Sequence, residues 1–206
     1  MQEIFNELID SYIDSKVGIA QNFLSEPLAL QLKKHLISLY TGQHFLSAGI
    51  GNDHHAVQNK SVRRDIIYWL DRDHKNKHEN DFFDLMDSFV THLNKTCFTG
   101  ITGYEFHYTL YEEGSFYKRH LDQFQNNGSR QYSMVMYLNT GWNEGDGGEL
   151  RIYHEDHQQN IAPVNGKSIF FKSSELEHEV LTTNRPRMSI TGWLKVNSHL
   201  TAIGNS

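Results

Sequence analysis

The sequence predicts a mainly β protein with supporting helices, whose core is a double-stranded β-helix, or jelly roll. Two observations carry that reading. In the first hundred residues most apolar positions recur at helical spacing, whereas from Thr102 onward they form short runs separated by turn residues. The runs read as strands at 103–111, 116–121, 131–138, 148–154, 167–171, 177–182 and 187–195. Asn126-Asn127-Gly128, the glycine-rich 143–148, Asn165-Gly166 and Asn184-Arg185-Pro186 supply turn chemistry between them. Helices first and strands afterwards give one compact domain. Residues 1–98 hold helices, flanking strands and a substrate loop packed on the core, and residues 99–196 form the jelly roll.

Taken in order, Ile4, Phe5, Leu8, Ile9, Tyr12 and Ile13 predict a first helix over 2–13. Residues 17–24 are a short apolar piece that reads as a strand. Ser25 caps a second helix with Pro27 in its first turn, and its apolar face runs through Leu28, Leu30, Leu32, Leu36 and Leu39. Both helices support a sheet from outside. Residues 43–64, with glycines at 49 and 51 and a polar middle, predict a long mobile loop, and loops of that length are often functional. Its Asp53-His54-His55 reads as a solvated tip, because no ligand spacing supports a closed metal site. Asp65 to Leu70 is a strand, and 71–80 is a mixed-charge connector. Phe82, Phe83, Leu85, Met86, Phe89, Val90 and Leu93 then define an amphipathic helix whose aromatic stripe belongs in the core.

Composition excludes several classes of function. A formal net charge of −6 over 206 residues, with no basic tract, argues against a general nucleic-acid surface. Cys97 is the only cysteine, so the chain cannot close a disulfide on itself, and a reducing compartment is expected. The N-terminus lacks the basic and apolar regions of a signal peptide, and no apolar run reaches membrane-spanning length. A cytoplasmic protein without a membrane partner is the expectation.

The chemistry gathers around His120-Leu121-Asp122. In an extended strand residues two apart share a face, so His120 and Asp122 can grip one ion together. His178 is the candidate third ligand, completing the two-His, one-carboxylate set of non-haem Fe(II) oxygenases. Nine residues later Arg187 heads an alternating run in which Arg187, Ser189, Thr191 and Trp193 share one face. A lone arginine on a strand's polar face suggests a barrel interior that binds an anion. Thirteen histidines make accidental motifs common, and His154-Glu155-Asp156 is a second His-x-Asp. That one lies in a polar run ending Gln158-Gln159-Asn160, read as a hairpin tip, and it lacks a well-placed third ligand followed by an arginine strand.

Residues 100–195 resemble the Fe(II)/2-oxoglutarate dioxygenases, specifically the prolyl 4-hydroxylase branch. Within it they resemble bacterial proteins related to the hypoxia-inducible-factor prolyl hydroxylases. The likeness rests on Tyr111, residues 117–122, Tyr137-Leu138-Asn139 with Trp142, and residues 147–153. It continues through His178-Glu179-Val180 and residues 187–193, and upstream through 48–51 and 63–70. Arg64 departs from it, since the animal relatives have Gly between the Arg and the Asp. The resemblance implies Fe(II) on His120, Asp122 and His178, with 2-oxoglutarate and O2 as cosubstrates and ascorbate as a reductant. It places the far carboxylate of 2-oxoglutarate on Arg187, with Tyr137, Tyr111, Thr191, Ser189 and Trp193 around the cosubstrate. Asp65, Arg63, Tyr117 and Arg130 fall on the substrate side. The implied reaction hydroxylates a prolyl residue of a protein, elongation factor Tu being the family-based candidate, and releases succinate and CO2. The alternatives are the same chemistry on another side chain, a free amino acid or another small molecule, and a metal-free jelly-roll binding module.

Overall fold

A computed structural model describes residues 1–49, 59–123 and 128–196. Three helices and eleven strands follow in the order α1 (Gln2–Ser15), β1 (Val17–Gln21), α2 (Glu26–Thr41), β2 (Leu46–Ser47), β3 (Ile66–Trp69), α3 (Lys77–Cys97), β4 (Gly103–Tyr111), β5 (Tyr117–His120), β6 (Arg130–Tyr137), β7 (Leu150–Tyr153), β8 (Gln158–Ile161), β9 (Lys167–Lys172), β10 (His178–Val180) and β11 (Arg187–Lys195). The strands form a seven-stranded sheet, β1-β9-β6-β11-β4-β3-β2, and a four-stranded sheet, β5-β10-β7-β8. Every pairing within them is antiparallel. The jelly-roll core is therefore present, and the N-terminal half lends it β1, β2 and β3.

Strand alternation divides the interior in two. On β4, Phe106 and Tyr108 point into an apolar layer shared with Phe5, Leu32, Phe82 and Phe89 of the helices. The residues between them, His107, Thr109 and Tyr111, point the other way and line a cavity. Beneath that inner face Tyr111, Val135, Tyr137, Ile152, Phe171 and Val180 pack between the two sheets. The helices thus back one face of the larger sheet, and its other face is left to carry polar side chains.

Several details differ from the sequence expectation. The polar run Gln158-Gln159-Asn160 is not a hairpin tip but most of β8, which returns along β7 with Tyr153 opposite Gln158 and Leu150 opposite Ile161. It is the outermost strand of the smaller sheet, where a solvated side tolerates polar residues. Leu30 is exposed on α2 while Leu32 and Leu36 are buried, because Leu30 lies off the i, i+4 stripe. Ser25 occupies the N-cap position but makes no capping hydrogen bond. The expected connector is largely structured: a 3-10 turn at Arg72–His74 leads into α3, which starts at Lys77. The Asn76 side chain caps it by accepting from the backbone N–H groups of His78 and Glu79. Of the expected long loop, 50–58 lie outside the described residues, as do Asp53, His54 and His55. Leu46–Ser47 pairs with β3. Cys97 is an exposed free thiol. Among the described residues no helix is long and apolar enough to cross a membrane.

Candidate functional site

β5 and β10 are neighbours in the smaller sheet, with His178 directly opposite His120. β5 ends at His120, so Asp122 stands in the bend that follows rather than on the strand itself. The bend still returns its carboxylate to the two rings. His120 Nε2 lies 3.4 Å from Asp122 Oδ1, and His178 Nε2 lies 3.6 Å from Asp122 Oδ2. One ligand atom from each of the three lies within 4.8 Å of the others.

Each ring is oriented through its other nitrogen. His120 Nδ1 donates to the Lys118 carbonyl at 2.7 Å, and His178 Nδ1 donates to the Leu176 carbonyl at 3.1 Å. A carbonyl can only accept, so Nδ1 carries a hydrogen and each ring is left to present Nε2 to Asp122. This is how protein backbones fix imidazoles as metal ligands. Burial, and then the nearby His120, push the His178 pKa down to about 4, so its ring is neutral at physiological pH. Burial alone would raise Asp122. His178 and His120 beside it, with the Ser133 hydroxyl at 2.6 Å, hold it well below the usual carboxylate range. Two imidazoles and a carboxylate held in its ionised form are the ligand types that suit a divalent iron ion.

Arg187 opens β11 and is among the largest fully buried side chains. Its Nε donates to the Gly148 carbonyl at 2.8 Å, and its Nη2 reaches the Tyr137 hydroxyl at 3.4 Å. The guanidinium carbon lies 4.9 Å from the Tyr111 ring centre and 5.0 Å from that of Tyr137. No described carboxylate forms an ion pair with it. Gly148 permits the arrangement: its φ is +68°, and a Cβ there would stand 3.0 Å from Arg187 Cδ. A buried arginine with aromatic walls and no acidic partner is a receptor for an anion. Burial raises the Tyr111 and Tyr137 hydroxyls, which keeps both as neutral O–H groups.

Both features open into one cavity of about 500 Å3. Thr191 and Trp193 of β11 line it beside Arg187. Ser189 is fully buried between them, its hydroxyl 3.3 Å from that of Thr191. In the same cavity, Tyr117 stacks on His120 with ring centres 3.6 Å apart. Arg63 covers Tyr117 at 4.2 Å and grips Asp65 through Nε and Nη2 at 2.8 and 2.5 Å. Arg130 lies 3.4 Å over the Trp193 ring and pairs with Glu105. The structure therefore brings the residues named for the metal, the cosubstrate and the substrate to this one cavity or the layer behind it.

Sequence reasoning passed over others. His107 is fully buried in the cavity wall between Trp69 and Trp193, with ring centres at 4.9 and 5.6 Å, and burial pushes its pKa down to about 4. Ser133 donates to Asp122 and stands 2.9 Å from the Ser173 hydroxyl. The signal for both was the period of two. His107 and Thr109 share a face with Tyr111, as Ser133 does with Tyr137. His154 and His157, by contrast, stack on each other at the β7–β8 hairpin, away from the cavity.

The fold is one shared with solved prolyl 4-hydroxylases, and part of the chain is similar to the 2-oxoglutarate and Fe(II) oxygenases. Residues 106–195 match the profile of the 2OG-Fe(II) oxygenase superfamily, and the likeness lies in its prolyl 4-hydroxylase branch. A prolyl 4-hydroxylase from Pseudomonas putida superposes with a TM-score of 0.84 at 29% identity, covering 94% of this chain and 100% of that one. A Trichoplax adhaerens prolyl hydroxylase, solved with a hypoxia-inducible-factor peptide, shares the fold with a TM-score of 0.85 at 24% identity, over 99% of this chain and 94% of that one. An uncharacterized PKHD-type hydroxylase of Synechocystis is 29% identical over 44% of this chain. The match spans only 36% of that curated relative's length.

Proposed function

We propose that the protein hydroxylates a prolyl residue of a protein substrate, with 2-oxoglutarate converted to succinate and CO2. The observation that carries this reading is one cavity holding both a two-His, one-carboxylate cluster and a buried arginine without an acidic partner. His120, Asp122 and His178 would hold Fe(II), which when bound supplies the activation of O2. Arg187 takes the far carboxylate of 2-oxoglutarate through its guanidinium fork, and a lysine could not reproduce that grip. Tyr137 and Thr191 add hydrogen bonds at the same end, and Ser189 backs Thr191. Tyr111 closes the space between Arg187 and the ligand cluster, and Trp193 walls it. Arg63, Asp65, Tyr117 and Arg130 line the same cavity, on the side taken by the substrate chain. The apolar wall of Leu150, Val135 and Val180 limits water around the reacting groups.

Support for a protein substrate comes from the prolyl hydroxylase likeness at 29% identity. The test is direct. Protein loaded with Fe(II), O2 and ascorbate should turn 2-oxoglutarate into succinate, and candidate proteins, elongation factor Tu first, should gain one oxygen at proline by mass spectrometry. Turnover accompanied by oxygen on another side chain or on a free amino acid would replace the prolyl assignment. No turnover in an iron-loaded preparation would leave a binding module.

A further inference from the structure

Arg64 breaks the motif that its neighbours Arg63 and Asp65 otherwise match, and the cavity does not use it. Segment 62–64 runs antiparallel beside 116–118: Arg64 N–H donates to the Phe116 carbonyl at 3.0 Å and Lys118 N–H to the Val62 carbonyl at 2.9 Å. Arg63 and Tyr117, bridged across this ladder, line the cavity. By alternation Arg64, Phe116 and Lys118 lie on the opposite, outward face. There the Arg64 guanidinium lies 5.0 Å from the Phe116 ring centre, and its Nε donates to the Lys60 carbonyl at 2.9 Å. The stack and that bond fix its plane, while Nη1 and Nη2 contact no carboxylate among the described residues. Lys60 is held close by the same bond, in a turn where Asn59 accepts from the N–H groups of Val62 and Arg63. Among the described residues none of Lys60, Arg64 and Lys118 forms an ion pair, although acidic side chains outnumber basic ones in this chain.

We propose that Arg64, with Lys60 and Lys118, forms a docking rim for an acidic stretch of the protein substrate, flanking the residue that enters the cavity. The proposal rests on the protein-substrate reading above and names what that substrate carries. A pre-set arginine fork between two lysines fits carboxylates spaced along an extended chain. The net charge of −6 disfavours a long polyanion such as nucleic acid, because all but this small patch would repel it. Arg64 and Lys118 are chain neighbours of the cavity-lining Arg63 and Tyr117, so the rim lies across one two-stranded ladder from the cavity and a chain with one residue in the cavity reaches it by crossing that ladder.

The test is equilibrium binding, read by fluorescence anisotropy at low salt, of a labelled peptide with one proline followed by a run of glutamates. A lysine-run counterpart and a labelled single-stranded oligonucleotide serve as comparisons. The glutamate peptide should bind most tightly and weaken as salt is raised. Arg64→Gln and Lys60→Ala should each raise its Kd about two- to fivefold. Arg64→Glu combined with Lys60→Glu should raise it on the order of tenfold or more. Arg64→Lys should fall between wild type and Arg64→Gln, since charge remains and the fork is lost. Thermal melting of each variant separates a lost contact from a lost fold. Equal binding of the lysine peptide, tighter binding of the oligonucleotide, failure of the glutamate peptide to bind, or indifference to Arg64→Gln would overturn the proposal. Decarboxylation of 2-oxoglutarate without peptide, measured in wild type and Arg64→Gln, tests the oxygenase reading separately and should not change with Arg64.

Discussion

Two His-x-Asp motifs lie in this chain, and the fold treats them oppositely. At 154–156 the histidine stacks on His157 with ring centres 4.3 Å apart, its Nε2 is 3.2 Å from the Gln159 amide oxygen, and Asp156 turns to His157 at 2.7 Å. At 120–122 both rings surrender Nδ1 to backbone carbonyls and face a carboxylate that a serine also holds. The difference lies in what each neighbourhood already satisfies. The first motif spends its polar atoms on one another in water. The second leaves two imidazole nitrogens and a carboxylate converging in a buried site, an arrangement stable only with a proton or a cation among them.

The largest expected effect breaks or upholds that contrast outright. His120→Ala, Asp122→Ala or His178→Ala should abolish turnover and weaken Fe(II) binding by more than about a hundredfold, whereas His154→Ala should leave both within about twofold. Metal titration with activity as a second readout decides it, and a dead His154 variant beside an active His120 variant would reverse the assignment. Next comes the anion end. Arg187→Lys keeps the charge but loses the fork, so half-saturating 2-oxoglutarate should rise about tenfold or more while Fe(II) affinity holds. An unchanged requirement would remove Arg187 from the cosubstrate's grip.

A smaller effect probes the support behind Asp122. Ser133→Ala removes the hydroxyl that donates to Oδ2, and Fe(II) affinity should fall about tenfold. Affinity equal to wild type would show that the two histidines alone orient the carboxylate. The smallest effect concerns pH. His178 titrates near 4 in the folded metal-free protein against 6.5 in the unfolded chain. Its neutral form therefore favours the fold, a contribution present above pH 6.5 and lost as pH falls toward 4. Following the His178 ring by NMR while melting the metal-free protein between pH 7 and 4 checks the sign; titration at or above 6.5 would refute it.

How much of this was legible in the sequence follows from which physical rule each feature obeys. His120, His178 and Arg187 follow the strand period, and spacing with order along the chain picked them out from thirteen histidines. His107, Thr109 and Ser133 obey the same rule and could have been read from it. The orienting carbonyls of Lys118 and Leu176 could not, since a backbone atom leaves no residue type behind. β8 was missed because an outermost strand needs few apolar residues, and Gln158-Gln159-Asn160 carries none. Asp122 was placed beside His120 for a partly wrong reason, because the strand ends at His120, two residues before Asp122, and a bend rather than alternation brings the carboxylate back.

The unpaired guanidinium of Arg187 has a consequence for how the protein reads its surroundings. A pocket that takes 2-oxoglutarate as proposed would recognise a carboxylate held away from the ligand cluster, and that is the shape of a whole class of central metabolites rather than of one. Succinate, the proposed product, carries the same terminal group, so it should compete for the same fork. Any such dicarboxylate that binds only the folded chain should raise its melting temperature, in proportion to the logarithm of its concentration over its Kd. Turnover would then follow the ratio of 2-oxoglutarate to its shorter relatives, coupling modification of the substrate to the carbon balance of the cell.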